Sequence, residues 1–342
     1  MSMLFFDGFD GYDAVSDLTS FGGWSNGFNG NGDSISTAVR VGSGKCFKVG
    51  NNQGIKLIFS ANQSTKTIYA GFAYKPAVSG NGNSICEFEN GTEAILSLVL
   101  NATNNLEIRR GNYFGTVLGT GSMAFSTSSW GYIEIKAFVE NTVGKVEVLV
   151  NGIVDIAEYT GDTQYAATDS VASFTVGGRN SGIIGYYDDF YILNSDSSIN
   201  NTYLGEVVIN RLAQTGDSSI AFTRNTGATN YEAVGDLVGA PDDSTTYVYA
   251  TTSGTRDEYT LSNTVSANTI YGVKINTRAQ KDDVNPKSFK NGIKTGATQQ
   301  DVTHSLGIGY TNYIDIFETS DGGTTLWTPT TLDAAVSTIE VV

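Results

Sequence analysis

The sequence contains few of the side chains that carry acid–base, metal or nucleophilic chemistry. Its 342 residues include one histidine, His304, and two cysteines, Cys46 and Cys86. One histidine and two separated cysteines cannot form a zinc site of the usual kind. No serine stands in a nucleophile-elbow context, so the sequence offers His304 no serine-hydrolase partner. His304 is therefore expected to be structural or to lie on the surface.

Positive charge and long apolar runs are also scarce. Twenty Lys and Arg stand against 35 Asp and Glu, which gives a net charge of −15. This balance leaves no basic face for a nucleic acid, and an anionic membrane would repel the chain. No apolar run is long enough for a transmembrane helix, and the N-terminal MSMLFFDGFDGYD is unlike a signal peptide. We expect synthesis in a cytoplasm, without a nucleic-acid partner or membrane insertion.

The two cysteines do not make a disulfide framework in a chain of this length. Cys46 and Cys86 each lie in an apolar or strand-like context. Two readings stay open at this point: buried free thiols, or a single disulfide that joins neighbouring strands.

Residues that favour β-structure dominate what is present. Forty glycines against four prolines indicate many tight turns, and Thr, Ser, Val, Ile, Tyr and Phe are abundant. No helix-period pattern of four or more turns occurs. Residues 130–140 and 144–159 alternate with period two around a short turn, and Asn151-Gly152 supplies a second turn. The chain is predicted to be all-β.

A break near the middle of the chain predicts two tandem β-sandwich domains. Residues 185–196, GYYDDFYILNSD, read as the closing strand of one domain, and a new strand is predicted at Gly205–Leu212. The predicted domains are therefore residues 1–197 and 203–342. The short polar gap between them predicts two domains in fairly fixed relation.

Four segments of the first half occur in an order that resembles the laminin-G-like or concanavalin-A-like jelly rolls. They are WGYIEI from Trp130, VEVLVNG at Val146–Gly152, FTVGG at Phe174–Gly178 and YYDDFYIL at Tyr186–Leu193. The resemblance implies a jelly roll in which the Asp-Asp strand lies beside the N-terminal strand. It says little about function, because this fold supports many activities.

The second half resembles a module of tailed-bacteriophage structural proteins, in which it follows a concanavalin-like domain. The similar segments are Thr229–Asp236, Asp242–Val248, Lys281–Asp283 and Leu326–Ala335, together with the opening MLFFDGFDGYD. The resemblance implies a virion component. The residues themselves predict a second β-sandwich with one short helix at Asn230–Gly235, capped by Asn230.

Glycoside hydrolysis is the enzymatic alternative, because concanavalin-like sandwiches include many glycosidases. The segment nearest to a Glu-x-Asp-x-x-Glu strand is Tyr313-Ile-Asp315-Ile-Phe-Glu318. Tyrosine occupies the nucleophile position, and retaining hydrolysis needs two carboxyl groups. The sequence therefore predicts that the protein is not an enzyme.

Calcium is the one cofactor that the sequence suggests, and none is predicted to be required. Asp7, Asp10 and Asp13 fall in a glycine-rich stretch, and the resemblance places Asp188 and Asp189 on the adjoining strand. Carboxylate oxygens suit Ca²⁺. In the alternative reading these aspartates cap turns and keep an edge strand soluble.

Aromatic side chains are candidates for sugar binding, since 11% of the residues are Phe, Trp or Tyr. Trp24 and Phe28 lie in a glycine-rich segment, and Tyr186 and Tyr187 lie on the predicted closing strand. An exposed ring could stack on a sugar. The alternative is packing in the core and across strands.

Together these observations predict a non-enzymatic structural protein of a tailed-phage particle, in its tail, baseplate or fibre, that helps adsorption to the host. Capsid decoration is the near alternative, and a free carbohydrate-binding lectin is the alternative of another class. The expected partners are other virion proteins, further copies of the chain and a host-surface glycan.

Overall fold

A computed structural model describes residues 2–27, 32–50, 54–64, 67–79, 83–178, 185–264 and 269–342. The chain divides into two compact units, Met1–Asn210 and Arg211–Val342. Both are built from antiparallel strands, which confirms the all-β prediction. Over the described ranges no helix is long and apolar enough to cross a membrane.

The described residues of the first unit form fifteen strands and one short helix, α1 (Val15–Ser20). The strands are β1 (Met3–Asp7), β2 (Ser25–Asn26), β3 (Ser34–Ser36), β4 (Cys46–Val49), β5 (Gly54–Ser64), β6 (Thr67–Pro76), β7 (Asn83–Asn90), β8 (Glu93–Leu100), β9 (Asn105–Arg110), β10 (Thr116–Ala124), β11 (Gly131–Phe138), β12 (Gly144–Val150), β13 (Ile153–Gly161), β14 (Ser170–Gly177) and β15 (Gly185–Asn194).

These strands form two sheets. An eight-stranded sheet has the order β13-β12-β11-β6-β15-β4-β3, with β1 also paired to β15. A seven-stranded sheet has the order β10-β9-β8-β7-β14-β5-β2. The predicted neighbourhood of the N-terminal strand and the Asp-Asp strand is confirmed, because Phe6 pairs with Tyr191 and Asp7 with Phe190.

The predicted hairpins are also present. Strand β11 pairs with β12, with Ile133 opposite Val150 and Ile135 opposite Val148. Between β12 and β13, Asn151 and Gly152 adopt φ angles of 51° and 73°. Asparagine and glycine tolerate this left-handed backbone, which a two-residue hairpin turn requires.

Aromatic rings fill the space between the two sheets. The Phe174 ring of β14 lies 5.0 Å from the Phe88 ring, 5.5 Å from the Phe190 ring and 6.4 Å from the Phe72 ring. Because Phe72 and Phe190 belong to the other sheet, these contacts join the two layers. Such burial stabilises the fold by roughly 1.5–3 kcal/mol per large apolar side chain.

Both cysteines of the first unit are buried and free. Burial raises the pKa of the Cys46 thiol to about 12. The structure therefore supports the prediction of two buried free thiols and not the alternative of a disulfide.

The strand predicted at Gly205–Leu212 is absent. Within the first unit, two backbone amides of this extended segment donate hydrogen bonds to carboxylates and not to a neighbouring strand. The Gly205 amide donates to Glu134 at 2.8 Å, and the Ile209 amide donates to Asp189 at 2.8 Å. The sequence does alternate apolar and polar residues here, as a strand would. These two amides, however, donate to side chains and not to the carbonyls of a neighbouring strand.

In the second unit, the part that the structure describes forms nine strands and two short helices, α2 (Asn230–Ala233) and α3 (Pro329–Asp333). The strands are β16 (Gln214–Ser219), β17 (Thr223–Arg224), β18 (Val248–Tyr249), β19 (Arg256–Leu261), β20 (Val273–Ala279), β21 (Ser288–Thr295), β22 (Thr298–Ser305), β23 (Thr311–Phe317) and β24 (Ala335–Val341).

Its main sheet has five strands in the order β16-β19-β24-β21-β22, and β20 pairs with β23 in a separate two-stranded sheet. A small apolar core includes Ile293 of β21, Phe317 of β23, Trp327 and Leu332 of α3. The short predicted helix is present, but Thr229 occupies its N-cap. The Asn230 side chain is not a cap, because its amide donates to the Phe222 carbonyl and to a buried carboxylate.

Candidate ligand-binding patch

Two of the four predicted sugar-stacking rings lie in the core of the first unit. Trp24 is 2% exposed and packs between Phe5 at 5.2 Å and Phe190 at 5.1 Å. Tyr187 is 1% exposed and donates its hydroxyl hydrogen bond to the Ile85 carbonyl. These rings have no face free for a sugar, so core packing is the correct reading for both. Phe28 lies outside the described residues.

Tyr186 has the opposite orientation to Tyr187. Successive side chains of a strand point to opposite faces of the sheet. Because Tyr187 points inward, Tyr186 lies on the outer face of the eight-stranded sheet, where it is partly exposed. It pairs with Lys48 of β4 on one side and with Lys75 of β6 on the other.

Tyr186 forms a row with three further side chains, which we call the lysine–aromatic patch: Lys48, Lys75, Trp130 and Tyr186. The Lys75 ammonium lies 4.8 Å from the Tyr186 ring centroid and 5.2 Å from that of Trp130. The Lys48 ammonium lies 5.8 Å from the Tyr186 centroid. The two rings are 6.4 Å apart, and all four side chains are partly exposed.

The charge of the patch is opposite to that of the chain as a whole. Within the described ranges, neither Lys48 nor Lys75 has an ion-pair partner; their close contacts are with the two rings. Cation–π contacts of this kind contribute about 0.5–1 kcal/mol each at exposed sites. They hold the ammonium groups beside the two rings, and neither ammonium is neutralised by an ion pair in the described ranges. Such an arrangement suits an anionic ligand that also presents an apolar surface.

The predicted calcium ligand Asp7 already has its oxygens occupied. It is buried and accepts hydrogen bonds from the Phe9 amide at 3.1 Å, the Tyr12 hydroxyl at 2.8 Å and the Trp24 indole at 3.0 Å. Three donors hold this carboxylate inside the aromatic core. Asp7 therefore organises the N-terminal strand and the turn that follows it.

The other predicted ligands also contact protein donors. Asp10 accepts a hydrogen bond from the Lys45 amide at 2.8 Å, and Asp13 forms an ion pair with the Lys45 ammonium. On β15, Asp188 accepts a hydrogen bond from the Arg40 amide at 3.2 Å. The Arg40 guanidinium lies 3.6 Å from the carboxylate of Asp189.

Calcium binding stays a prediction from the sequence. In the part of the chain that the structure describes, no group of three or more His, Cys, Asp or Glu side chains is arranged to hold a metal ion. Asp10, Asp188 and Asp189 are nevertheless close enough for their charges to repel one another. Burial, with this repulsion, raises the pKa of both Asp188 and Asp189.

This burial makes stability depend on pH. Burial makes the ionised carboxylate of Asp188 unfavourable in the folded protein, so its folded-state pKa is raised above that of the unfolded chain. The free energy of unfolding therefore decreases as pH rises from the unfolded pKa to the folded pKa. We expect Asp188→Asn, which stays neutral, to gain stability relative to the wild type as pH rises from about 4 to about 7, by on the order of 1 kcal/mol, with no further gain above that range. Melting temperatures across this range test it, with the exposed Asp282→Asn as control. A constant difference between Asp188→Asn and wild type at every pH would contradict it.

The segment considered for hydrolysis lies in the second unit and is occupied by structural contacts. Asp315 is 7% exposed and accepts a hydrogen bond from the side-chain amide of Asn291 at 2.7 Å. His304 lies 2.8 Å from the same carboxylate oxygen and packs beside Tyr313. Asp315 therefore links neighbouring strands, and His304, expected to be structural or to lie on the surface, is a partly exposed member of this contact.

No protein-family model matches the chain, and no curated protein matches it either. Solved structures do match part of it. Domain 4 of an extracellular arabinanase from Geobacillus stearothermophilus, in complex with arabinotriose, matches at 18% identity and a TM-score of 0.41, over 56% of this chain and 92% of that domain.

Two further solved structures are similar at the same level. A Bacillus subtilis protein with a galectin-like fold matches at 12% identity and a TM-score of 0.36, over 56% of this chain and 96% of its own. A carbohydrate esterase of the Shiga toxin-encoding bacteriophage phi24B matches at 15% identity and a TM-score of 0.34, over 55% of this chain and 99% of its own. At such low similarity, the ligand has to be inferred from the side chains themselves.

Proposed function

We propose that the chain is a non-enzymatic glycan-binding protein whose first unit binds an acidic carbohydrate at the lysine–aromatic patch. One observation carries this proposal: two lysines without a carboxylate partner in the described ranges flank Tyr186 in a chain of net charge −15. An acidic sugar presents both a carboxylate for the ammonium groups and an apolar ring face for Trp130. Nucleic acid is disfavoured because two lysines are too few to follow a phosphate backbone, whereas they can meet the carboxylates of one or two sugar units.

We further propose that the protein serves in the tail, baseplate or fibre of a tailed-phage particle, where glycan binding would help adsorption to the host. Support for this placement comes from the resemblance of the second half to phage structural modules. Capsid decoration and a free lectin are the alternatives. Antibody labelling of purified particles distinguishes these three possibilities. Label on the tail favours the adsorption role, label on the head favours capsid decoration, and absence of label favours a free lectin.

Binding of polygalacturonate to the full chain tests the role of the patch. We expect Lys48→Gln, Lys75→Gln and Trp130→Ala each to weaken binding about tenfold, because each removes a charge-assisted contact or the stacking surface. Lys145→Gln is the matched control. It removes the same charge from the same unit, but Lys145 is 47% exposed and pairs with Glu158. Equal weakening by the control would point to overall charge rather than to the patch.

A further inference from the structure

A cleft lies at one end of the first unit's sandwich. The loops after β9, β11 and β13 surround a cleft of about 560 Å³. Ligand sites have volumes of roughly 300–1,000 Å³. The aromatic, charged and amide-bearing residues that line the cleft are Arg110, Phe114, Asn141, Asp162, Gln164 and Tyr165.

Phe114 presents an aromatic ring to solvent at this cleft. It is 75% exposed, although its backbone is fixed by a hydrogen bond from its amide to the Asn112 side chain at 2.9 Å. Its ring centroid lies 3.8 Å from that of Tyr113. An exposed aromatic ring of this kind stabilises the unit little, but it is suited to contact with a ligand.

Tyr165 contributes a second ring, which a strained turn holds in place. It is 37% exposed, and its ring packs so closely on Gly111 that a Cβ there would lie 2.8 Å from it. The turn that follows has Ala166 and Ala167 at φ angles of 51° and 59°, where glycine or asparagine is usual. Such backbone costs on the order of 1 kcal/mol per residue and concentrates at ligand sites.

The polar groups of the cleft carry no net charge. The Arg110 guanidinium forms an ion pair with Asp162, so its positive charge is compensated. Asn141 and Gln164, whose side chains end in uncharged amides, are also among the residues that line the cleft. Uncharged amides beside a compensated ion pair favour a neutral ligand with several hydroxyl groups, and two aromatic rings favour one with an apolar face.

We propose that this cleft binds a neutral saccharide unit, with its ring against Phe114 and Tyr165 and its hydroxyls bonded to Asn141 and Gln164. The cleft is separate from the lysine–aromatic patch. Trp130 directly precedes β11, whereas Asn141 follows the end of that strand, so the eight residues of β11 lie between them. The site therefore does not depend on acidic-sugar binding at the patch.

Saturation-transfer NMR on the full chain tests the cleft, with the methyl glycosides of glucose, galactose, mannose and N-acetylglucosamine as probes. We expect at least one to bind, and Phe114→Ala and Gln164→Ala each to weaken it about tenfold. Ile58→Ala is the control, because Ile58 is an exposed apolar residue of the same unit, 61% exposed, that does not line the cleft.

Each outcome decides the proposal. Weakening by the two cleft variants but not by the control supports it. Absence of binding by all four glycosides overturns it, as does binding that Phe114→Ala leaves unchanged. Loss of binding in Trp130→Ala alone would assign the neutral sugar to the lysine–aromatic patch and also overturn it. Polygalacturonate binding is measured on the same variants. It shows whether the lysine–aromatic patch binds its acidic ligand even when the cleft does not bind a neutral sugar.

Discussion

Replacing Asp257 by alanine is expected to lower the free energy of unfolding of the second unit by about 4 kcal/mol. Asp257 lies in β19 and is fully buried. One carboxylate oxygen accepts hydrogen bonds from the amides of Ala221 and Phe222, at 2.6 and 2.7 Å. The other accepts from the side-chain amide of Asn230 and the Tyr259 hydroxyl, both at 2.8 Å. Alanine would leave four donors without their acceptor.

Denaturant unfolding of Asp257→Ala measures this loss. Asp282→Ala serves as the control, because Asp282 is exposed in the same unit and such surface changes alter stability by about 0.5 kcal/mol at most. If Asp257→Ala were as stable as the control, the carboxylate would not hold this part of the second unit together.

Replacing Trp24 by alanine is expected to cost the first unit a similar amount, about 4 kcal/mol. The indole contacts the rings of Phe5, Phe9 and Phe190, and its N–H donates to Asp7. Alanine would leave a cavity among these rings and remove one of the donors that offset the burial of the carboxylate. This prediction also separates the two readings of Trp24, since an exposed sugar-binding ring would contribute little to stability.

Thermal and denaturant unfolding of Trp24→Ala check the loss, with Phe114→Ala as the matched aromatic control. Phe114 is 75% exposed, so its removal should change stability by about 0.5 kcal/mol at most. Equal stability of the two variants would place Trp24 outside the core and contradict the packing described above.

Local pattern predicted the elements whose partners are close in the chain. The β11–β12 pair and the Asn151-Gly152 turn follow from period two and from residues that accept positive φ. The neighbourhood of β1 and β15 followed from the family resemblance. The strand expected from Gly205 was wrong because the carboxylates that accept its amides come from distant residues, Glu134 and Asp189.

The candidate site was only partly predictable for the same reason. Tyr186 could be named from the sequence, but its neighbours Lys48, Lys75 and Trp130 come from three other strands or their ends. Their adjacency depends on the strand order of the eight-stranded sheet, which no local pattern encodes. Tyr187 and Tyr186 were named together, although alternation along a strand allows only one of them to face outward.

The most direct test of acidic-sugar binding compares one polymer in two charge states. Binding of the full chain is measured by calorimetry against polygalacturonate and against the same polymer after reduction of its carboxyl groups. The ammonium groups of Lys48 and Lys75 define the patch and form no ion pair within the described residues. The acidic polymer should therefore bind, and its neutral form should bind at least about tenfold more weakly. Equal affinity for the two polymers, or binding to neither, would contradict the proposal.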